Sequence, residues 1–293
     1  MRVTQSMLSS NMLRNLSNSY SKMGKLQSQI ESGKKITRPS DDPVVAMKGI
    51  DYRTALGRVE QFQRNIGEVN NWLDSTDDAF DKVGSSLQRV QELVTQGANG
   101  TLTDEDREKI QIELDQIQQH IQNMANSKVG DKYLFSGTLT TTPLYDATNG
   151  YPATSGDPTN PTPFEKSVEI EVFDGITLKV NTNAVDVFKS IDKMFEDIKS
   201  GAIDFSQAIG EIQSQTDEIL TIRADIGARQ NRVELMDNRL QTQEVIATKQ
   251  MSQNEDVEYD KAITDMITQE SIHRAALSVG ARILQPTLTD FLR

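Results

Sequence analysis

The sequence predicts a mainly α protein: an elongated antiparallel helical rod formed by the N- and C-terminal segments, with a small β-containing domain inserted in the middle. Three observations lead there. Eleven positions stepping alternately by three and four residues, Val59, Phe62, Ile66, Val69, Leu73, Thr76, Phe80, Val83, Leu87, Val90 and Val94, are apolar except for Thr76. Such a stripe is the seam of one helix, on the order of 50 Å long at about 1.5 Å per residue. A second stripe of the same alternation runs through Ile212, Gln215, Ile219, Ile222, Ile226, Arg229, Val233, Met236, Leu240, Gln243 and Ala247. Between the two, the helical pattern is lost, and five of the eight prolines lie between Pro143 and Pro163.

Composition agrees with a rod. The 293 residues are 36% hydrophobic and 5% aromatic, and mean hydropathy is -0.52, which is polar for this length. Helical rods bury narrow stripes and expose the rest, so a thin core needs no disorder to explain it. A net charge of -12 argues against nucleic acid as a partner, because phosphate binding draws its affinity from clustered Lys and Arg. The short basic cluster Lys34, Lys35 and Arg38 reads as a solvated turn. With no Cys, disulfides and thiolate sites are excluded. No apolar run approaches the roughly 20 residues of a membrane span, so no membrane insertion is expected. The N-terminus lacks the contiguous apolar stretch of a secretory signal, so export from the cell would need a route without a cleaved one.

In chain order, Leu13, Leu16, Tyr20, Met23 and Ile30, with Leu26 flanking, mark an amphipathic helix over about 4 to 32, ended by Ser32 and Gly33. ITRPSDDP then places Pro39 and Pro43 among capping residues, with Asp42 as N-cap and Pro43 at the first helical position. The long helix carrying Val59 to Val94 should stop near Gly97 to Gly100, and Thr103 with Asp106 makes an acidic capping box for a third helix. That helix has the seam Ile110, Leu114, Ile117, Ile121 and Met124, and a short loop folds it back on its predecessor. Val168, Ile170 and Val172, the turn Asp174–Gly175, and Ile176, Leu178 and Val180 spell a β-hairpin. Helical spacing resumes at Val187, Ile191, Met194 and Ile198, breaks at Gly201 and continues from about Phe205. The long seams are expected to pack within one subunit.

The last segment has two apolar faces, Ile263, Ile267, Leu277, Leu284 and Leu288 on one and Ile272, Ala276, Val279 and Ile283 on the other. Two faces need two sets of neighbours. The first helix is expected to cover one of them, leaving the other for further subunits. The domain boundaries read as terminal assembly helices at 1–36 and 250–293, a helical rod at 37–130 and 203–249, and the insert at 131–202.

Enzymatic readings find no support in the pattern. His120 and His273 stand far apart, the acidic pairs Asp41–Asp42, Asp77–Asp78 and Glu105–Asp106 suit caps and polar faces, and no phosphate loop, HExxH or GxSxG is present. No catalytic residue, metal or cofactor is assigned.

With this layout in place, SGKKITRPSDDP at Ser32 to Pro43 and RADIGARQNRVE at Arg223 to Glu234 resemble the two signature segments of the bacterial flagellin superfamily. The opening segment QSMLSSNMLRNLSNSYSKMGKLQSQIESG and the closing segment SQNEDVEYDKAITDMITQESIHRAALSVGARIL are similar to its terminal helices. Pro39 and Pro43 around Ser40, Asp41 and Asp42, together with DKYLFSGT at Asp131 to Thr138, look like its hook-associated junction branch rather than its filament-forming flagellins. The resemblance implies a secreted, extracellular structural protein at the hook–filament junction, exported through the flagellar type III channel. It implies self-association in a ring, a hook-associated protein on the hook side and flagellin on the filament side. It also implies an export chaperone that shields the region from Ile263 to Leu292. The assembly and chaperone interface would then comprise Leu13, Leu16, Met23, Leu26 and Ile30 with Ile263, Ile267, Ile272, Leu277, Val279, Ile283 and Leu284, and the helix-turn junction Gly33, Pro39, Asp42 and Pro43. Flagellin itself, or a secreted coiled-coil effector or signalling module, are the alternatives.

Overall fold

The computed structural model describes residues 5–98, 103–155, 161–201 and 203–283, with side chains for all of these except Gln5, Ser6, Asp104 and Ile283. The described elements are α1 (Gln5–Ser32), α2 (Pro43–Gly97), α3 (Asp104–Ala125), β1 (Lys128–Val129), β2 (Lys132–Tyr133), β3 (Glu169–Phe173), β4 (Ile176–Lys179), α4 (Val185–Ser200), α5 (Phe205–Glu255) and α6 (Tyr259–Ile283). The chain groups into two compact units, one of Met1–Arg58 with Gln243–Arg293, the other of Val59–Thr242.

In the Val59–Thr242 unit, all eleven seam residues of α2 are buried, including Thr76. The Thr76 hydroxyl donates to the Trp72 carbonyl at 2.7 Å, so the polar residue is satisfied within its own helix and the seam stays dry. Trp72, Ala79 and Leu93, spaced by multiples of seven, add a second buried row that widens the apolar face of α2. Side-chain bonds fix the neighbours. Arg223 of α5 grips Asp77 of α2 with Nε at 2.8 Å and reaches Asp81 at 2.7 Å, while Gln230 donates to Asp74 at 2.8 Å, so the two long helices run antiparallel. Arg89 joins Glu113 of α3 at 2.8 Å, and Lys199 of α4 joins Asp115 of α3 at 2.6 Å. The capping box forms as expected: the Asp106 amide donates to Thr103 Oγ1 at 3.3 Å, and that hydroxyl donates to the Asp106 carboxylate at 2.7 Å. These contacts hold the Asp106 pKa below the ordinary aspartate value, the hydroxyl bond from Thr103 contributing most.

The α5 seam buries Ile212, Ile219, Ile226, Val233 and Leu240. Two of its polar members are partnered: Gln215 accepts from the Ser190 hydroxyl at 2.9 Å, and Arg229 donates to the Asn181 carbonyl at 3.1 Å. The inserted segment shares the core. Phe135 meets Phe80 edge-on at 5.3 Å and Phe188 at 5.1 Å, linking α2, the bend after β2, and α4. The hairpin forms where the sequence placed it, with a bulge between Glu171 and Phe173. The extra residue lets Val172 be fully buried while Phe173 also packs inward, stacking on Phe62 at 6.1 Å under the Arg239 guanidinium at 4.2 Å. A second ladder, β1 with β2 around Gly130, has no counterpart in the sequence reading, since two-residue strands leave no alternation.

Gly137 sits at φ +58, and a Cβ there would run into the carbonyls of Pro163 and Phe164. Gly137→Ala should therefore cost more than about 2 kcal/mol, whereas Gly130→Ala, at the same φ in open space, should cost about 1. The single tryptophan, Trp72, 3% exposed, supplies the fluorescence signal for urea titration of both variants.

Candidate assembly site at the paired termini

Two chain reversals build the core of the other unit. Gly33 ends α1 at φ +70, the left-handed conformation that glycine adopts without strain. Its carbonyl accepts from the Val257 amide at 2.9 Å, and the Lys35 amide donates to the Glu255 carbonyl at 2.6 Å, forming an antiparallel bridge between Lys34 and Asp256. Pro39 occupies the second position of the turn closed by the Asp41 amide on the Arg38 carbonyl at 3.0 Å. Asp42 then caps α2, accepting from the amides of Val44 at 3.0 Å and Val45 at 3.2 Å, with Pro43 at the first helical position as expected.

The basic cluster here departs from the sequence reading. Lys34 reaches Asp256 at 2.6 Å and Glu255 at 3.5 Å, and Lys35 Nζ donates to the Gln253 carbonyl at 2.8 Å. Lys34 and Lys35 thus bind the opposite turn, more than 200 residues away in sequence, while Arg38 stays exposed as expected. Glu255 is 3% exposed and also accepts from Arg53 of α2 at 2.7 Å. A buried carboxylate persists only when paired and hydrogen-bonded, and two cations supply that. Gly49 makes the room, since a Cβ at that position would collide with the Glu255 carboxylate. The hydrogen bond from Lys34, seconded by Ser252, lowers the Asp256 pKa, and the same contact raises that of Lys34.

Beyond the bridge, α1 and α6 run antiparallel. The Gln269 amide donates to Ser19 Oγ at 2.8 Å, the Tyr20 and His273 rings lie 6.2 Å apart, and Gly280 abuts the Met12 side chain. The α1 face turned to this seam is Met12, Leu16, Ser19, Met23, Leu26 and Ile30; the α6 face is Ala262, Met266, Gln269, His273, Ala276 and Gly280. Both alternate by three and four. Thus Leu16, Met23, Leu26 and Ile30 are half-buried in the seam, while Leu13 is 58% exposed.

On α6 the expectation that α1 would cover one of two apolar faces holds only at Ala276. The covered face, Ala262, Met266, Gln269, His273, Ala276 and Gly280, lies between the two and leaves the large residues of both exposed. Ile263, Ile267 and Leu277 flank it on one side, 45%, 59% and 47% exposed, and Ile272 and Val279 flank it on the other, 52% and 53% exposed. Small residues win the inner position because Ala262, Ala276 and Gly280 let the backbones approach closely, and the large α1 side chains then fill the seam. Leu284 and the side chain of Ile283 lie outside the described residues. The sequence did hold a signal for the inner face: small residues recur at Ala262, Ala276 and Gly280, the last two four apart. Among the described residues, no group of three or more His, Asp and Glu is placed to hold a metal ion.

The comparisons with known proteins fit this architecture. Residues 3–140 match the bacterial flagellin N-terminal helical region and residues 209–292 the bacterial flagellin C-terminal helical region, together more than half of the chain. The chain belongs to the bacterial flagellin superfamily. It is 24% identical to "Flagellar hook-associated protein 3" of Escherichia coli (strain K12), aligned over 94% of this chain and 95% of that one. It is 26% identical to "Flagellin FlaB1" of Treponema pallidum (strain Nichols), over 75% and 74%. Among solved structures, a putative flagellar hook-associated protein from Vibrio parahaemolyticus superposes with a TM-score of 0.63 at 25% identity, covering 74% of this chain and 100% of that one.

Glu255→Gln keeps the shape of the buried side chain but removes the charge that Arg53 and Lys34 share. Stability should fall by about 1–2 kcal/mol, and the amides of residues 33–37 and 254–258 should exchange faster with solvent. Acid should loosen the same bridge. An aspartate whose folded pKa lies below its unfolded value stabilises above the unfolded value and loses that contribution as pH falls through the folded one. Asp256 is such a group, so protection of the Val257 and Lys35 amides should hold near neutrality and decline below about pH 4. Lys34, raised, keeps its share until the pH passes above the ordinary lysine range.

Proposed function

We propose that this chain is a structural component of the bacterial flagellum that forms the hook–filament junction by coiled-coil assembly of its terminal segments, residues 1–36 and 250–293. The observation that carries the reading is the inversion on α6: small residues are spent on α1, while Ile263, Ile267, Ile272, Leu277 and Val279 stay outside on two flanks. Leaving five large aliphatic side chains in water is unfavourable at roughly 25 cal/mol per Å² of apolar surface, and covering them with neighbouring subunits recovers it. Near end-to-end alignment with a hook-associated protein supports the junction over the filament, because the match to a flagellin spans about three quarters of each chain.

In this reading, copies close into a ring, a hook-associated protein binds one rim and flagellin the other. The subunit reaches that site through the flagellar export channel, with a chaperone masking the exposed flanks of α6 beforehand. A strain lacking the protein should keep its hooks, bear no filaments in electron micrographs and shed flagellin into the medium. Normal filaments in that strain would refute the junction role, and long filaments grown from the purified chain alone would point to flagellin.

A further inference from the structure

We infer that Asn149–Gly150 is a site of spontaneous covalent modification that folding shuts, and that Asp146 is the residue that shuts it. An Asn–Gly pair is chemically labile because glycine, with no Cβ, lets its own amide nitrogen approach the preceding side chain. The Gly150 nitrogen, giving up its proton to hydroxide, attacks Asn149 Cγ. The new N–Cγ bond closes a succinimide ring, and the Cγ–Nδ2 bond breaks to release ammonia, which takes a proton from water. A second water opens the ring at one carbonyl or the other and leaves aspartate or isoaspartate at position 149. Water and hydroxide are the only reagents. The pair stands on a loop where Asp146, Ala147, Thr148 and Asn149 are all exposed, so both reagents have access.

In the folded chain both reacting groups are held, and by one residue. The Gly150 amide donates to the Asp146 carbonyl at 2.7 Å, and the Asp146 amide donates back to the Gly150 carbonyl at 3.1 Å. The Asn149 side-chain amide donates to Asp146 Oδ2 at 2.7 Å, while Oδ1 accepts from the Thr148 amide at 3.2 Å. Ring closure has to take the proton from a bonded amide and swing Asn149 Cγ off the carboxylate, so two of these bonds must break first. Gly150 itself is required by the turn: it lies at φ +67, where a side chain would be strained although the space around it is open. The glycine that makes Asn149 labile therefore stays, and Asp146 offsets the lability. The loop is anchored on both sides of this clamp. Tyr145 exchanges two 2.9 Å bonds with the Asn126 side chain at the end of α3, and the Tyr151 ring lies 5.0 Å from that of Tyr145. Isoaspartate adds a methylene to the main chain between these anchors, so the Asp146–Gly150 pairing does not close again in its present register. The level of isoaspartate at 149 then records how long a molecule has been unfolded.

Mass spectrometry of peptides containing residue 149 reads the conversion, after the purified full chain has stood in mildly alkaline buffer with and without urea. In urea, Asn149 should convert about as fast as the chain's other Asn–Gly pair, Asn99–Gly100, and in the folded chain roughly tenfold more slowly or less. Asp146→Ala should leave Tm unchanged and bring the folded-chain rate at Asn149 most of the way to the rate in urea. Equal rates for the unaltered chain with and without urea would overturn the proposal, as would an Asp146→Ala chain that melts normally and converts no faster. If Asp146→Ala lowers Tm, hydrogen exchange of the unaltered chain decides instead: the Gly150 amide must exchange more slowly than that of Ala147, which makes no such bond, and equal exchange sinks the inference.

Discussion

Two backbone hydrogen bonds, Val257 to Gly33 and Lys35 to Glu255, set the terms for everything at the termini. They join two chain reversals lying more than 200 residues apart and so bring the end of α1 and the start of α6 to one level, which fixes the register of their seam. Side chains then lock the bridge from both directions. Lys34 and Arg53 converge on Glu255, and Gly49 leaves the space that the carboxylate fills. Once the register is set, helical geometry determines that Ala262, Ala276 and Gly280 turn inward and the isoleucines lie outside. The exposed aliphatic flanks of α6 are thus a by-product of the bridge as much as of the helix that carries them.

The parts legible in the sequence are those whose cause is local. The α2 and α5 seams repeat every three and four residues, and each turn of helix restates the pattern. Asp42 before Pro43, and Thr103 three residues before Asp106, announce helix starts through bonds that close within one turn. What stayed hidden depends on distant partners. Lys34 and Lys35 read as solvated because their partners, Glu255 and Asp256 for the first and the Gln253 carbonyl for the second, lie at the other end of the chain. Apart from Ala276, the inner face of α6 is hard to read in the sequence because hydrophobicity ranks isoleucine above alanine and glycine, while close helix approach favours the reverse. The bulge at Val172 was hidden for a related reason: strict alternation assigns Val172 and Phe173 to opposite faces, and only Phe62 and Arg239 explain why both turn inward.

The core of the Val59–Thr242 unit is assembled almost wholly from segments far apart in the chain. Phe80, Phe135 and Phe188 meet in one aromatic cluster, and Asp74 is bonded to a glutamine 156 residues later. Such contacts fold slowly, because loop closure must come before any of them is rewarded. When α2 emerges first from a ribosome or a narrow conduit, its long apolar stripe has no cover until α5 follows. The topology therefore builds in a delay: the chain remains threadable until its last third is free, and native packing then arrives late and together. In the export reading proposed above, late closure of the α2–α5 pair would work as a timer written into the order of the helices.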